Sequence, residues 1–400
     1  MGEYNIPLDV ALSWTLDYNT SDSYENYTYI AEMCPDIQGG SSTARFQRFL
    51  VPVVLLLIFV LGSLGNLLVM VILWCYRCSR TSTELFLFHL ALANLLLVLT
   101  FPFGVVESLA GWVFGTFLCK ALSATHRINF YSSSLLLGCI SVDRYLAVVY
   151  AIRTFQKQRT LSVHVTCLAV WLLSLLLAMP DLLFTEVWEG GENLSVCHFK
   201  EYGDRGLQSW LATRFLYHTV GFFLPSVVMC YCYAAIIRAL CQSQRLQRQK
   251  AVKVAILVTS IFLVCWTPYH VVIFWDTLTR LEAGNRLCAQ EYGMTTAIII
   301  TEMVAFSYCC LNPVLYAFVG IRFRHDACRI LHDLGCLSQS ALQEMLGSRR
   351  TESTTETNIS ASRPPTSTCA MTLLVTSSGP SASPQGSTGQ WLRREGCDSD

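Results

Sequence analysis

The chain has 400 residues, 53% of them apolar and only 14% charged, and its 28 basic and 28 acidic side chains cancel. Soluble domains carry roughly 25% charged residues, so a water-facing exterior around several cores is excluded. A zero net charge also leaves no global basic field for a nucleic-acid partner.

Residues 1–48 form an acidic tail. Up to Ala44 it holds Glu3, Asp9, Asp17, Asp22, Glu25, Glu32 and Asp36 and no Lys or Arg. Tyr18, Tyr24, Tyr27 and Tyr29 stand among these acids, a setting suited to sulfation. The tail lacks the apolar core of a cleavable signal peptide, so the first span is expected to act as its own insertion signal.

Seven long apolar runs follow, at 49–74, 85–109, 117–149, 163–184, 210–240, 251–278 and 294–319. Roughly 20 apolar residues cross the hydrocarbon layer as a helix, and lipid offers the backbone no hydrogen bonds, so each run is expected to span the membrane. Basic residues gather in alternate connections: Arg77 and Arg80; Arg153, Lys157 and Arg159; Arg238, Arg245, Arg248, Lys250 and Lys253; and Arg322, Arg324 and Arg329. The positive-inside rule then puts the N-terminus outside and the C-terminus in the cytosol of a plasma-membrane protein. The fold class expected is an all-α membrane protein: a seven-helix transmembrane bundle over 49–319, an amphipathic eighth helix over 320–336, and disordered tails. In the eighth helix Cys328 and Cys336 are candidate palmitoylation sites. Residues 337–400 are rich in Ser and Thr and cannot form a core; the 351–357 cluster suits receptor kinases and arrestin capture.

Sorting cysteines by side leaves four in the oxidising outer compartment, Cys34, Cys119, Cys197 and Cys288, with three connectivities open. Sequons at Asn19, Asn26 and Asn193 fall outside and are candidate glycosylation sites, whereas that at Asn358 falls inside. No glycine-rich phosphate cradle or nucleophile elbow is present, and the eight histidines are scattered, so neither an enzyme nor a cofactor is expected. Charged residues within the runs cluster at the two ends rather than forming a through-going stripe, which argues against a transporter or channel.

The inner end of the third run reads Asp143-Arg144-Tyr145. The sixth carries Trp266-Thr267-Pro268, the seventh Asn312-Pro313 with Tyr316, the second Thr100-Phe101-Pro102, and the fifth Pro225. Proline removes one helix hydrogen bond and kinks the span. In combination these motifs resemble the rhodopsin-like G-protein-coupled receptors over residues 49–336. The external Trp112-Val113-Phe114-Gly115 before Cys119, the pair Cys309-Cys310 and Glu302 resemble the chemokine receptors more closely, and the stretches 82–90, 214–218 and 248–260 are similar to one C-X-C member.

The resemblance implies disulfides Cys119–Cys197 and Cys34–Cys288, and a ligand pocket holding Glu302, His126, Arg127, Arg214, Asp276 and Glu107. An ionisable residue inside a span is a functional candidate on physical grounds as well. The implied ligand is a basic C-X-C chemokine, by the closer similarity the B-lymphocyte chemoattractant, gathered by the acidic tail. The implied cytosolic partner is an inhibitory-type heterotrimeric G protein. In the switch, Asp143 restrains Arg144 beside Tyr145, Trp266 and Pro268 form the hinge beneath the pocket, Asn312 and Pro313 belong to the span-seven part, and Tyr233 and Tyr316 turn inward to help Arg144 receive a G-protein helix. The alternative is a chemokine-scavenging receptor that does not signal. One departure stands out: Asn94 occupies the place of a family aspartate that holds sodium with groups matching Asn129, Ser133 and Asn312. A neutral amide supplies no charge for a cation, so weak or absent sodium modulation is expected.

Overall fold

The computed structural model describes residues 42–75, 81–150, 156–189, 195–199, 204–242, 249–281, 288–319, 327–330, 332 and 337–340. Span one is α1 (Ser42–Cys75); span two is α2 (Ser82–Val98) and α3 (Phe101–Ala110); span three is α4 (Gly115–Val148); span four is α5 (Gln156–Leu177) and α6 (Met179–Phe184). Strands β1 (Thr185–Glu189) and β2 (Ser195–Phe199) follow as an antiparallel pair. Span five is α7 (Asp204–Leu216), a π-helical segment (Tyr217–Phe223) and α8 (Leu224–Gln242); spans six and seven are α9 (Gln249–Leu281) and α10 (Cys288–Val319).

Local chemistry sets where these helices start and break. Span two begins at a capping box, in which the Glu84 backbone N–H donates to Thr81 Oγ1 (3.3 Å) and the Thr81 N–H donates to Glu84 Oε2 (2.9 Å). It breaks at Leu99–Thr100 because Pro102 has no N–H to offer Val98, and the Thr100 hydroxyl satisfies the Leu97 carbonyl instead (2.6 Å). Span four breaks at Ala178 ahead of Pro180 for the same reason. In span five Pro225 follows the π segment, where the Leu224 N–H reaches back five residues to the Thr219 carbonyl. In span seven Pro313 leaves the Cys309 carbonyl without its helical donor. Asn66 Nδ2 on span one donates to that carbonyl at 2.9 Å, which joins the two spans at the kink. Gly65 allows this approach, since a Cβ there would lie 2.8 Å from the Pro313 ring.

The core sits around span three, where Leu136, Leu137 and Ile140 pack with Phe262 and Val258 of span six and Tyr308 of span seven. Outside, Leu57, Leu64, Leu172, Leu176, Phe223 and Val264 are exposed, an apolar shell suited to lipid rather than water. Among the described residues six helical stretches are long and apolar enough to cross a membrane, and α4 is not one of them. Span three is helical over 34 residues, but it carries Lys120, His126, Arg127, Asn129 and Ser132–Ser134, most of them turned to neighbouring helices rather than to lipid.

At the inner end, Ala327 and Ile330 pack on Ile72 of span one. Cys328 is buried beside them, so acylation at its thiol would require that contact to open. Cys34, Cys336, Asn19, Asn26, Asn193, Tyr18, Tyr24, Tyr27 and Tyr29 lie outside the described residues, as do the side chains of Cys288 and Tyr316.

Candidate functional site: an outer pocket and an inner switch

The outer end is closed by the strand pair. Cys197 on β2 is disulfide-bonded to Cys119 on span three with a Cα–Cα distance of 5.6 Å, as the resemblance implied. Trp112 buries against this bridge, donates its backbone N–H to Ser195 (2.7 Å) and its indole N–H to the Gly115 carbonyl (2.9 Å). Gly111 and Gly115 take positive φ angles of 76° and 74° on either side of it, a conformation that favours glycine.

Beneath this cap two of the residues expected to meet ligand, Arg127 and Arg214, are ion-paired. Arg127 Nε donates to Asp181 Oδ1 at 3.0 Å, and its guanidinium lies 4.4 Å from the Tyr217 ring centre. Arg214 meets Asp276 at 3.5 Å, donates to Thr277 and stacks 4.7 Å from the Trp210 ring centre. Burial makes each cation dependent on its carboxylate, because an uncompensated buried charge is costly. Glu107 and Glu302 are also buried. His126 Nε2 lies 2.8 Å from Thr100 Oγ1, with its ring against Phe101 and Phe306. Asp181, the partner of Arg127, is a buried acid that the sequence reading passed over. Its signal was available, as an acid inside the fourth apolar run.

Trp266 forms the floor, buried against Phe130 at 4.7 Å, with Phe262 and Tyr269 nearby. The interior of the bundle below holds Asn94, fully buried. Its Nδ2 donates to Asn66 Oδ1 (3.3 Å) and its Oδ1 accepts from the Cys309 thiol (3.6 Å). Asn129, Ser133 and Asn312 are buried as well, and Asn129 Nδ2, Ser133 Oγ and both amide atoms of Asn312 have no protein hydrogen-bond partner. These atoms could solvate water. They do not fit a sodium site that needs a counter-charge, since the set offers only neutral oxygens. Among the described residues no group of three or more His, Cys, Asp or Glu could hold a metal ion.

At the inner end Arg144 is ion-paired to Asp143, which also accepts from Thr83 Oγ1 (3.4 Å). Tyr145 packs against Tyr150 and Tyr231. The Tyr233 hydroxyl lies 3.2 Å from Thr259 Oγ1 on span six. Arg144 is therefore held by its own helix while Tyr233 is engaged elsewhere, which describes a restrained arrangement. Arg248 and the side chain of Lys250, in the basic connection before span six, lie outside the described residues.

The 7 transmembrane receptor (rhodopsin family) pattern matches residues 65–316. The chain is 48% identical to C-X-C chemokine receptor type 5 of Homo sapiens over 352 residues, covering 86% of this chain and 93% of the relative. It is 46% identical to the type 5 receptor of Mus musculus over 365 residues, covering 88% and 97%. It is 40% identical to C-X-C chemokine receptor type 3 of Bos taurus over 344 residues, covering 85% and 92%.

Proposed function

The chain belongs to the rhodopsin family of seven-transmembrane receptors, and within it to the C-X-C chemokine receptors, and from that premise we propose that it is a type 5 orthologue or close paralogue that binds a basic C-X-C chemokine outside and activates an inhibitory-type heterotrimeric G protein inside. It is a multi-pass membrane protein and not an enzyme. The observation that carries the reading is the arrangement of span three. Its outer half bears Arg127 and the disulfide of the pocket cap, and its inner end bears the restrained Asp143–Arg144 pair. One rigid helix thus touches both ends of the bundle, and ligand contacts that differ between two bundle states would bias the inner end.

The acidic outer tail supports a cationic protein ligand, because opposite charge raises encounter rates. Sulfation of Tyr18, Tyr24, Tyr27 and Tyr29 would strengthen that attraction. Glu302 and Glu107, buried in the pocket, are the acceptors for the basic end of the ligand. On release from Asp143, Arg144 would take part in the groove that receives a G-protein helix. Arrestin and receptor kinases would act on the Ser/Thr-rich tail. The N-terminus outside and C-terminus inside follow from the basic connections.

The test is cell-surface binding and cyclic-AMP inhibition with a panel of C-X-C chemokines, surface expression being confirmed. Saturable binding of a type 5 ligand with pertussis-toxin-sensitive inhibition is the expected result. Binding and uptake without inhibition would give the scavenging reading, and silence to every chemokine would remove the ligand assignment.

A further inference from the structure

Polar contacts join spans five and six at three levels. Arg214 meets Asp276 and Thr277 at the outer end, and Tyr233 meets Thr259 at the inner end. Between them, His218 Nδ1 lies 3.0 Å from His270 Nδ1. Both imidazoles are buried, with 8% and 4% exposure. At that separation one ring donates its Nδ1–H and the other accepts, so both rings hold fixed and opposite tautomers. His270 Nε2 has no hydrogen-bond partner of its own, so the Nδ1 contact is the ring's one recorded polar tie.

The surroundings make this contact unusually well placed. His218 belongs to the π segment. A π turn widens the helix and changes the phase of its side chains, and here the consecutive Tyr217 and His218 are both buried. Gly221 completes the fit, since a Cβ there would come within 2.4 Å of Phe130 on span three. His270 stacks on Phe222 (4.2 Å, 12°) and on Tyr217 (4.9 Å, 29°), and it stands one turn outward of Trp266. Pro268 lies between the two. Because proline cannot donate to the preceding turn, α9 can bend there. The middle contact therefore grips the outer half of span six directly above its hinge.

We infer that the His218–His270 hydrogen bond is a latch that holds the hinge of span six against the π segment of span five and so sets the receptor's basal activity. The two rings are positioning residues: they act through Trp266 and Pro268. The latch rests on the signalling reading above, but its structural consequence can be read without a G protein. With the bond gone, the hinge loses its middle restraint and the inner half of α9 swings outward more often. The contact observed here coexists with a restrained Arg144, so losing it favours release.

Geometry supplies a discriminating set of variants. An asparagine amide nitrogen sits as many bonds from Cα as histidine Nδ1, so His270→Asn keeps the bond and loses the stacking. His270→Phe keeps the stacking and loses the bond. The full-length receptor in lipid nanodiscs is compared by nucleotide exchange on an added G protein and by deuterium uptake over residues 249–265. His270→Phe and His218→Phe should each raise basal exchange about fivefold, the low end of coupling between sites, and the double variant should go no further. His270→Asn should stay at the wild-type level. Should His270→Phe fail to reach the membrane, His218→Phe carries the same test with the stacked His270 ring intact. Equal activation by Asn and Phe, or wild-type exchange and uptake in both Phe variants, overturns the latch. Raised uptake in the Phe variants of a receptor that drives no exchange with any ligand upholds the latch and removes the signalling reading instead.

Discussion

Charged and amide side chains inside the bundle carry the sharpest consequences at the scale of single residues. Asn94 makes a neutral link between Asn66 and the Cys309 thiol. Agonist affinity should therefore be the same in sodium chloride and choline chloride at equal ionic strength. Asn94→Asp should introduce a sodium-dependent loss of about tenfold, as expected for a coupling of typical size. Radioligand competition in the two salts measures both. Asp181 is 4% exposed and holds Arg127. Asp181→Asn leaves a part-buried guanidinium without that counter-charge, at a cost of up to about 3 kcal/mol, so the purified variant should unfold at a lower temperature than wild type. Of these residues, Asn94 was legible because it interrupts a recognisable pattern. Asp181 was legible as the acid of an apolar run, whereas only folding shows that Arg127 is its partner.

Among elements, the prolines decide where spans bend, and side chains from neighbouring helices repair what they break. Asn66→Ala would strip the Cys309 carbonyl of its donor and Asn94 of a partner. A buried acceptor left unsatisfied costs about 1–3 kcal/mol, to be read as a drop in thermal stability with the disulfide intact. The outer strand pair carries a pH dependence. His198 on β2 lies opposite Glu186 on β1. Burial lowers its pKa below the ordinary 6.5, while the Glu186 carboxylate raises it in part. The fold thus favours the neutral ring. The stability this gives is complete above the ordinary value and is lost as the pH falls from there toward the lowered one. Thermal unfolding at pH about 7.5 and about 5.5 should show a larger drop for wild type than for His198→Phe, which has no proton to take up. The helices themselves were legible as long apolar runs, and the break at Thr100 could be read from Pro102. The π segment could not be read, because its widened turn packs against Phe130 and His270, which come from other helices, with Gly221 leaving the space for Phe130.

For the whole molecule, charge is divided along the chain: acids without bases over residues 1–44, and bases in the connections assigned to the cytosol. Chemokine association should consequently slow as salt rises, while dissociation changes little, because the Debye length shrinks from about 10 Å at 0.1 M to about 3 Å at 1 M. Removal of residues 1–40 should flatten that dependence, and surface-plasmon measurements on nanodisc-held receptor would show it. The multi-pass helical bundle was legible from composition alone, because crossing a bilayer demands long apolar helices. The identity of the partners inside each pocket was not, since Arg127 could meet any of several acids until three dimensions chose one.

The polar character of the central helix has a consequence for how the chain is made. A segment carrying Lys120, Arg127 and three consecutive serines partitions poorly into lipid by itself. During synthesis the translocon cannot release it sideways as a lone segment with the ease it shows for its neighbours. Retention of this helix falls to the second and fourth, which flank it in the finished protein and must arrive on either side before it is stable in the bilayer. Insertion of this helix should therefore depend on its neighbours, and substitutions that weaken either of these flanking helices should lower the amount of folded receptor before any signal can be read.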